Sequence, residues 1–208
     1  DRLLRELPAA YDEEMGFLTA CPTNLGTGMR ASVMLFLPAL RLAGQIENEM
    51  THFVRDYGLT VRGVYGEGSK AQGDMYQLSN TRTLGVTESE IIASVESAAL
   101  EMCAKERDAR ERLIERDRVA VYDRVARSYG IISNAYRLTS AELMNLISDV
   151  KLGVILNILP LKDTKTLDKL LVWCSAANPT AVTGECSAEE RDIRRAAIVK
   201  SILQKEKL

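Results

Sequence analysis

Apolar residues recur at two periods along the chain and divide it into a sheet-rich beginning and a helical remainder. Residues 16–21 read as a short strand, and residues 31–37 as a second strand that Pro38 ends. Leu40, Ile46, Met50, Phe53 and Val54 fall at helical spacing, which predicts a helix over residues 39–57, with Gly58 as its C-terminal stop. Residues 59–65 alternate as a strand does, GEGSKAQG at 66–73 reads as a loop, and residues 75–79 form a further strand before the turn-like SNTR. Thr87 then opens a capping box, T-E-S-E, ahead of Ile91, Ile92, Val95, Ala99 and Met102. Helices are predicted at 139–150, 164–175 and 187–205, with NPTAVTG as a linker and Ser187 capping the last through Glu190. The pattern predicts an α+β fold, a largely antiparallel sheet flanked by helices and followed by a helical C-terminal region. The expected boundary lies between residues 1–128 and 129–208.

Composition narrows this picture. With 208 residues and 46% hydrophobic content the chain can bury a sizeable core. Its 27 basic and 29 acidic residues leave a net charge of −2, so general attraction to nucleic acid or to an anionic membrane is not implied. Any anion site must be local. The mixed-sign stretch KERDARERLIERDR, residues 105–118, reads as a solvated helical face with i,i+4 pairs. Cysteines at 21, 103, 174 and 186 lack CxxC spacing, and His52 is the one histidine. Thiols in a reducing cytoplasm are the simplest reading, with no resident metal. No apolar signal core opens the chain, and no run is long enough to span a membrane.

The chemistry-bearing residues cluster in loops. In CPTNLGTGMRAS, residues 21–32, the hexad from Gly26 to Ala31 matches G-x-G-x-x-A, but a strand follows where a dinucleotide site needs a helix. A phosphate loop of the GxxxxGK type also fails, because Ser69 follows Gly68. Arg30 and Arg62 nevertheless sit where strands meet glycine-rich loops, open to two readings: ordinary surface arginines, or guanidinium forks for phosphate. Glu67, between Gly66 and Gly68, is either a turn carboxylate or a general base. Cys21 is either a small buried apolar residue or a thiolate favoured by a nearby cation.

CPTNLGTGMRAS, followed by VRGVYGEGS, resembles the C-terminal catalytic lobe of the guanidino kinases. RSYGIISNAYRLTSAELMNLISDVKLGV and ERDIRRAAIV are similar to the bacterial protein arginine kinases within that family. The resemblance implies transfer of the γ-phosphoryl group of ATP, carried with Mg2+, to arginine side chains of proteins. It implies that Cys21 stands beside the substrate guanidinium, that Glu67 is a catalytic carboxylate, and that Arg30 and Arg62, with Asn24, Gly26 and Gly28, hold the nucleotide. It further implies that Arg191, Asp192, Arg194 and Arg195 of RDIRRA bind phosphoarginine. The implied partners are protein substrates, a Clp protease system and a stress-gene repressor, in the cytoplasm. Relatives extend further at the N-terminal side, so a small helical domain and a second catalytic carboxylate are expected outside this chain. Phe36, where relatives often carry histidine, is a candidate for stacking on adenine. Apolar positions Leu143, Leu146, Ile147, Ile155, Leu156, Leu170, Leu171 and Trp173 serve either the core or a homodimer contact.

Overall fold

A computed structural model describes residues 6, 8–63, 72–173 and 187–205. Glu67, most of the GEGSKAQG loop, the NPTAVTG linker, Cys174, Cys186 and the Trp173 side chain lie outside the described residues. Contacts group the chain into two compact units. The first is Asp1–Ala71 with Met75–Ala109, and the second is Gln72–Asp74 with Arg110–Leu208, so the division falls earlier than the 128/129 boundary expected from sequence. Among the described residues no helix is long and apolar enough to cross a membrane.

The first unit is built on β1 (Tyr11–Asp12), β2 (Gly16–Phe17), β3 (Ser32–Phe36), α1 (Pro38–Leu42), α2 (Ile46–Tyr57), β4 (Leu59–Gly63) and β5 (Met75–Asn80). β1 and β2 pair as a two-stranded ribbon, and a three-stranded antiparallel sheet runs in the order β3-β5-β4. Residues 16–21 therefore hold two strand residues, after which Pro22–Asn24 forms a 3-10 turn. The alternation along the sheet decides its faces. Leu35, Leu78 and Leu59 turn into a core with Phe53, Val95 and Met102. Ser32, Gln77, Ser79, Thr60 and Arg62 share the opposite, polar face through the pairs Ser32↔Ser79, Thr60↔Ser79 and Arg62↔Gln77.

The helix expected over 39–57 is two helices. Gly44 takes φ +69 between α1 and α2, a conformation that ends α1, and Gly58 (φ +60) stops α2 as expected. α1 begins at Leu37, whose buried apolar side chain cannot cap it. Glu106 supplies the cap instead: its carboxylate oxygens accept from Ala39 N and Leu40 N, both at 3.0 Å. This corrects the reading of residues 105–118 as a wholly solvated face, because Glu106 is only 2% exposed. Two orphan backbone donors needed an acceptor, and burial of Leu37 excluded a local one.

α3 (Glu88–Asn134) starts at the predicted capping box, with Thr87 N donating to Glu90 Oε2 at 2.8 Å and Glu90 N to Thr87 Oγ1 at 3.2 Å. It is interrupted at Asp117 (φ −156, ψ 79), whose Oδ1 accepts from Ala120 N at 2.9 Å and so restarts the helix as an N-cap would. The second unit packs the later part of α3 with α4 (Ser140–Ile155), α5 (Lys165–Trp173) and α6 (Ala188–Lys205). Leu143, Ile147 and Leu170 join Ile132, Leu138, Val150 and Val199 in its core, whereas Ile155 is exposed. α4 also carries buried polar side chains that each find a partner. Ser148 Oγ donates to Asp74 Oδ2 at 2.5 Å, Asp149 accepts from Arg124 Nε and Ser128 Oγ at 2.7 Å each, and Lys151 Nζ meets Asp168 at 2.7 Å.

Candidate functional site

The polar face of the sheet ends in a pocket. Its volume is about 410 Å3, and its walls are Cys21, Thr23, Asn24, Met29, Arg30, Thr60, Arg62, Asn80, Thr81 and Thr83. Four residues singled out by sequence, Cys21, Asn24, Arg30 and Arg62, thus come together although they span more than forty positions. The sheet register explains why. β5 is central, its C-terminal end lies beside the start of β3 and the start of β4, and the loop entering β3 must cross that end.

The Cys21 loop is held by the stretch that follows β5. Thr83 Oγ1 lies 3.0 Å from Thr23 O and 2.8 Å from Leu25 O, and Thr27 N donates to Thr83 O at 2.9 Å. Gly26 sits in the resulting crossing with φ +105, and a β-carbon there would stand 2.3 Å from Thr83 O. Only glycine fits. Phe17 N donates to Gly26 O at 2.7 Å and Gly26 N to Phe17 O at 3.3 Å. The Gly26 N–H is therefore committed to the ribbon, and neither Gly26 nor Gly28 lines the pocket. Their contribution is the path of the loop, which aims Cys21 and Arg30.

Cys21 carries an exposed thiol, with Sγ 3.0 Å from Thr23 Oγ1. Arg30 is exposed and donates from Nη2 to Ser79 Oγ at 2.9 Å. Arg62 is half-buried on β4. The pocket wall therefore carries two guanidiniums, a thiol and the amide of Asn24, a donor set that suits an anion beside a second polar group. Phe36 stands at the far end of β3 and is not among the lining residues. Asn80 and Thr81 fall within the turn-like SNTR of the sequence, and Thr83 lies just beyond it. The signal available for them is position, since a polar segment that closes the central strand and continues beyond it must run past both flanking strands.

The RDIRRA residues lie at the start of α6. Ser187 and Glu190 form the predicted box, with Ser187 N donating to Glu190 Oε2 at 2.8 Å and Glu190 N to Ser187 Oγ at 3.2 Å. These bonds hold the Glu190 carboxyl below the ordinary glutamate range. Arg195 points inward. It is 2% exposed and donates from Nη1 to Leu138 O at 2.7 Å and to Asp192 Oδ1 at 2.5 Å, while Leu138 N donates to Asp192 O at 3.1 Å. Asp192 and Arg195 thus tie α6 to the turn before α4. Arg194 differs: its Nη1 is buried with no hydrogen-bond partner among the described residues.

Two family profiles match this chain. The ATP:guanido phosphotransferase, C-terminal catalytic domain, covers residues 1–109, and the protein-arginine kinase McsB C-terminal domain covers residues 118–208. The chain is similar to a protein-arginine kinase of Caldanaerobacter subterraneus subsp. tengcongensis, 47% identical over 99% of this chain and 61% of the relative. A protein-arginine kinase of Bacillus subtilis is 41% identical over 99% of this chain and 57% of its own length. The chain therefore spans about 60% of the length of the curated relatives it matches. Among solved structures, a duplicated taurocyamine kinase from Schistosoma mansoni with transition-state analogue components aligns with a TM-score of 0.44 at 32% identity, over 50% of this chain and 14% of that one. A lombricine kinase aligns with a TM-score of 0.42 at 32% identity, over 47% of this chain and 26% of that one. Because the catalytic-domain profile covers more than half of its 208 residues, the chain belongs to the ATP:guanido phosphotransferase family.

Proposed function

We propose that this chain is the larger part of a protein arginine kinase, transferring the γ-phosphoryl group of Mg2+-bound ATP to arginine side chains of proteins. The observation that carries the reading is the pocket in which Cys21, Asn24, Arg30 and Arg62 converge. The naming of its relatives as protein-arginine kinases, across both halves of the chain, supports the substrate class.

An arginine guanidinium stays protonated at any ordinary pH, so its nitrogen attacks phosphorus only as a proton is removed or strongly shared. In this reading Glu67 accepts that proton, and Cys21 stands beside the guanidinium and orients it. Arg30 and Arg62 hold the phosphate oxygens, where negative charge gathers as the bond to the leaving ADP breaks and the N–P bond forms. Positioning of the two substrates supplies most of the rate. The product is a protein phosphoarginine. The unpartnered Nη1 of Arg194 supports a second role on the same chain, recognition of that product by the RDIRRA segment. There Arg194 and Arg191 face the phosphoryl group, and Asp192 with Arg195 anchors the segment to Leu138.

The test is transfer of label from Mg2+-ATP to an arginine-rich protein by the 208-residue chain, with acid lability marking a P–N bond and Glu67→Gln as the control. Acid-labile label that disappears in Glu67→Gln is the expected result. Turnover unchanged by Glu67→Gln refutes the catalytic assignment. Phosphoarginine binding that survives Arg194→Ala refutes the second role.

A further inference from the structure

We infer that Asn80 is the positioning residue for Arg30, fixing where the guanidinium projects into the pocket. The inference rests on the reading of Arg30 as an anion clamp.

Asn80 closes the central strand β5 and makes contacts on both sides of one residue, Arg30. Its Oδ1 accepts from Ala31 N at 2.8 Å, and its Nδ2 donates to Met29 O and to Arg82 O, both at 3.1 Å. Its backbone N–H also donates to Ala31 O at 3.3 Å. Met29 O belongs to the peptide group before Arg30, and Ala31 N to the peptide group after it. Each peptide group is planar, so the only soft freedom between them is the φ and ψ of Arg30. One side-chain amide grips both planes and removes that freedom, which fixes the direction of the Arg30 Cα–Cβ bond.

The orientation of the amide is set by its partners. A flipped Asn80 would turn its oxygen toward two carbonyl oxygens and its NH2 toward an N–H. Ser79, the preceding residue and fully buried, holds the other end of the same side chain by accepting from Arg30 Nη2 at 2.9 Å. Consecutive residues of β5 thus secure the root and the tip of an otherwise exposed arginine. A long side chain held in this way gives up less rotamer freedom when an anion binds. The fork presents its remaining donors to the pocket in one direction, as a phosphate group requires. Asn80 acts through Arg30 and takes no part in the bond-making step.

A double-mutant cycle tests this, with Mg2+-ATP titrated by calorimetry into the 208-residue chain, Asn80→Ala, Arg30→Ala and the double variant. Tripolyphosphate is titrated in parallel as a probe without adenosine. The expected result is a roughly tenfold loss of affinity in each single variant, and a double variant within about twofold of Arg30→Ala, for both probes. Losses that multiply in the double variant show Asn80 acting independently of Arg30 and overturn the inference. Wild-type affinity in Asn80→Ala, with Arg30→Ala weakened, overturns it while leaving the clamp reading intact. Wild-type affinity in Arg30→Ala, or no binding by the unsubstituted chain, overturns the clamp reading and the inference together. Asn80→Ser carries the same cycle should Asn80→Ala fail to fold.

Discussion

Replacing Glu106 asks how much of the first unit hangs on one buried carboxylate. In the intact protein it receives Ala39 N and Leu40 N at 3.0 Å each, at a helix start where Ala39, Leu40 and Glu106 itself are all sequestered from water. Glu106→Ala leaves two buried donors without this acceptor, each at a cost of about 1–3 kcal/mol. It also removes a negative charge from a helix N-terminus, where such a charge contributes up to about 2 kcal/mol in partly buried geometries. Some relaxation around the vacated space offsets part of the sum, so a loss of about 4 kcal/mol is expected. Glu106→Gln keeps one oxygen acceptor and loses the other, and a loss of about 2 kcal/mol follows. Against a domain stability of about 5–15 kcal/mol, either change is large. Urea unfolding of each variant measures the total, and hydrogen exchange at the Ala39 and Leu40 amides localises it. If both variants stay within about 0.5 kcal/mol of the unsubstituted chain, and those two amides exchange at an unchanged rate, the cap is not what holds α1.

Gly26→Ala places a β-carbon 2.3 Å from Thr83 O at φ +105, so the loop must leave its strap. The expected outcome is faster exchange at the Thr27 amide and at least about tenfold weaker binding of Mg2+-ATP, with helix content retained. Unchanged exchange at Thr27 would count against the strap. Acid should loosen the two boxed helix starts. Glu90 and Glu190 are held below the ordinary glutamate range chiefly by the backbone N–H of Thr87 and of Ser187, and then by their hydroxyls. A lowered folded-state pKa means that the stabilisation is present above the unfolded value of about 4.3 and is lost as pH falls through the folded value. Protection of the Glu90 and Glu190 amides, corrected for intrinsic rate, should therefore fall as pH drops below about 4. Protection that stays constant down to about pH 3 refutes it.

Local chemistry was legible wherever its partners lay within a few positions. The boxes Thr87/Glu90 and Ser187/Glu190 were readable because donor and acceptor are three residues apart. The Gly58 stop and the strands β3 and β5 were readable because glycine conformation and alternation are properties of short segments. The site was legible as a set of residues, Cys21, Asn24, Arg30 and Arg62, through motif resemblance, but not as a shape. Asn80 and Thr83 escaped notice because their work is done on backbone atoms about fifty and sixty positions away, and a backbone atom leaves no trace in a side-chain pattern.

The sequence pattern therefore sufficed for the two-part α+β character, the boxed starts of α3 and α6, and the identity of the pocket's charged groups. Tertiary structure alone decided the rest. It put Leu37 in the core and so transferred the capping of α1 to Glu106, across 67 residues to Ala39. It broke one apparent helix at Gly44. It buried Arg195 of the RDIRRA segment and bolted it to Leu138. At Glu106 and at Arg195 a buried polar group had to be satisfied, and only the folded chain determines which distant atom is near enough to do it.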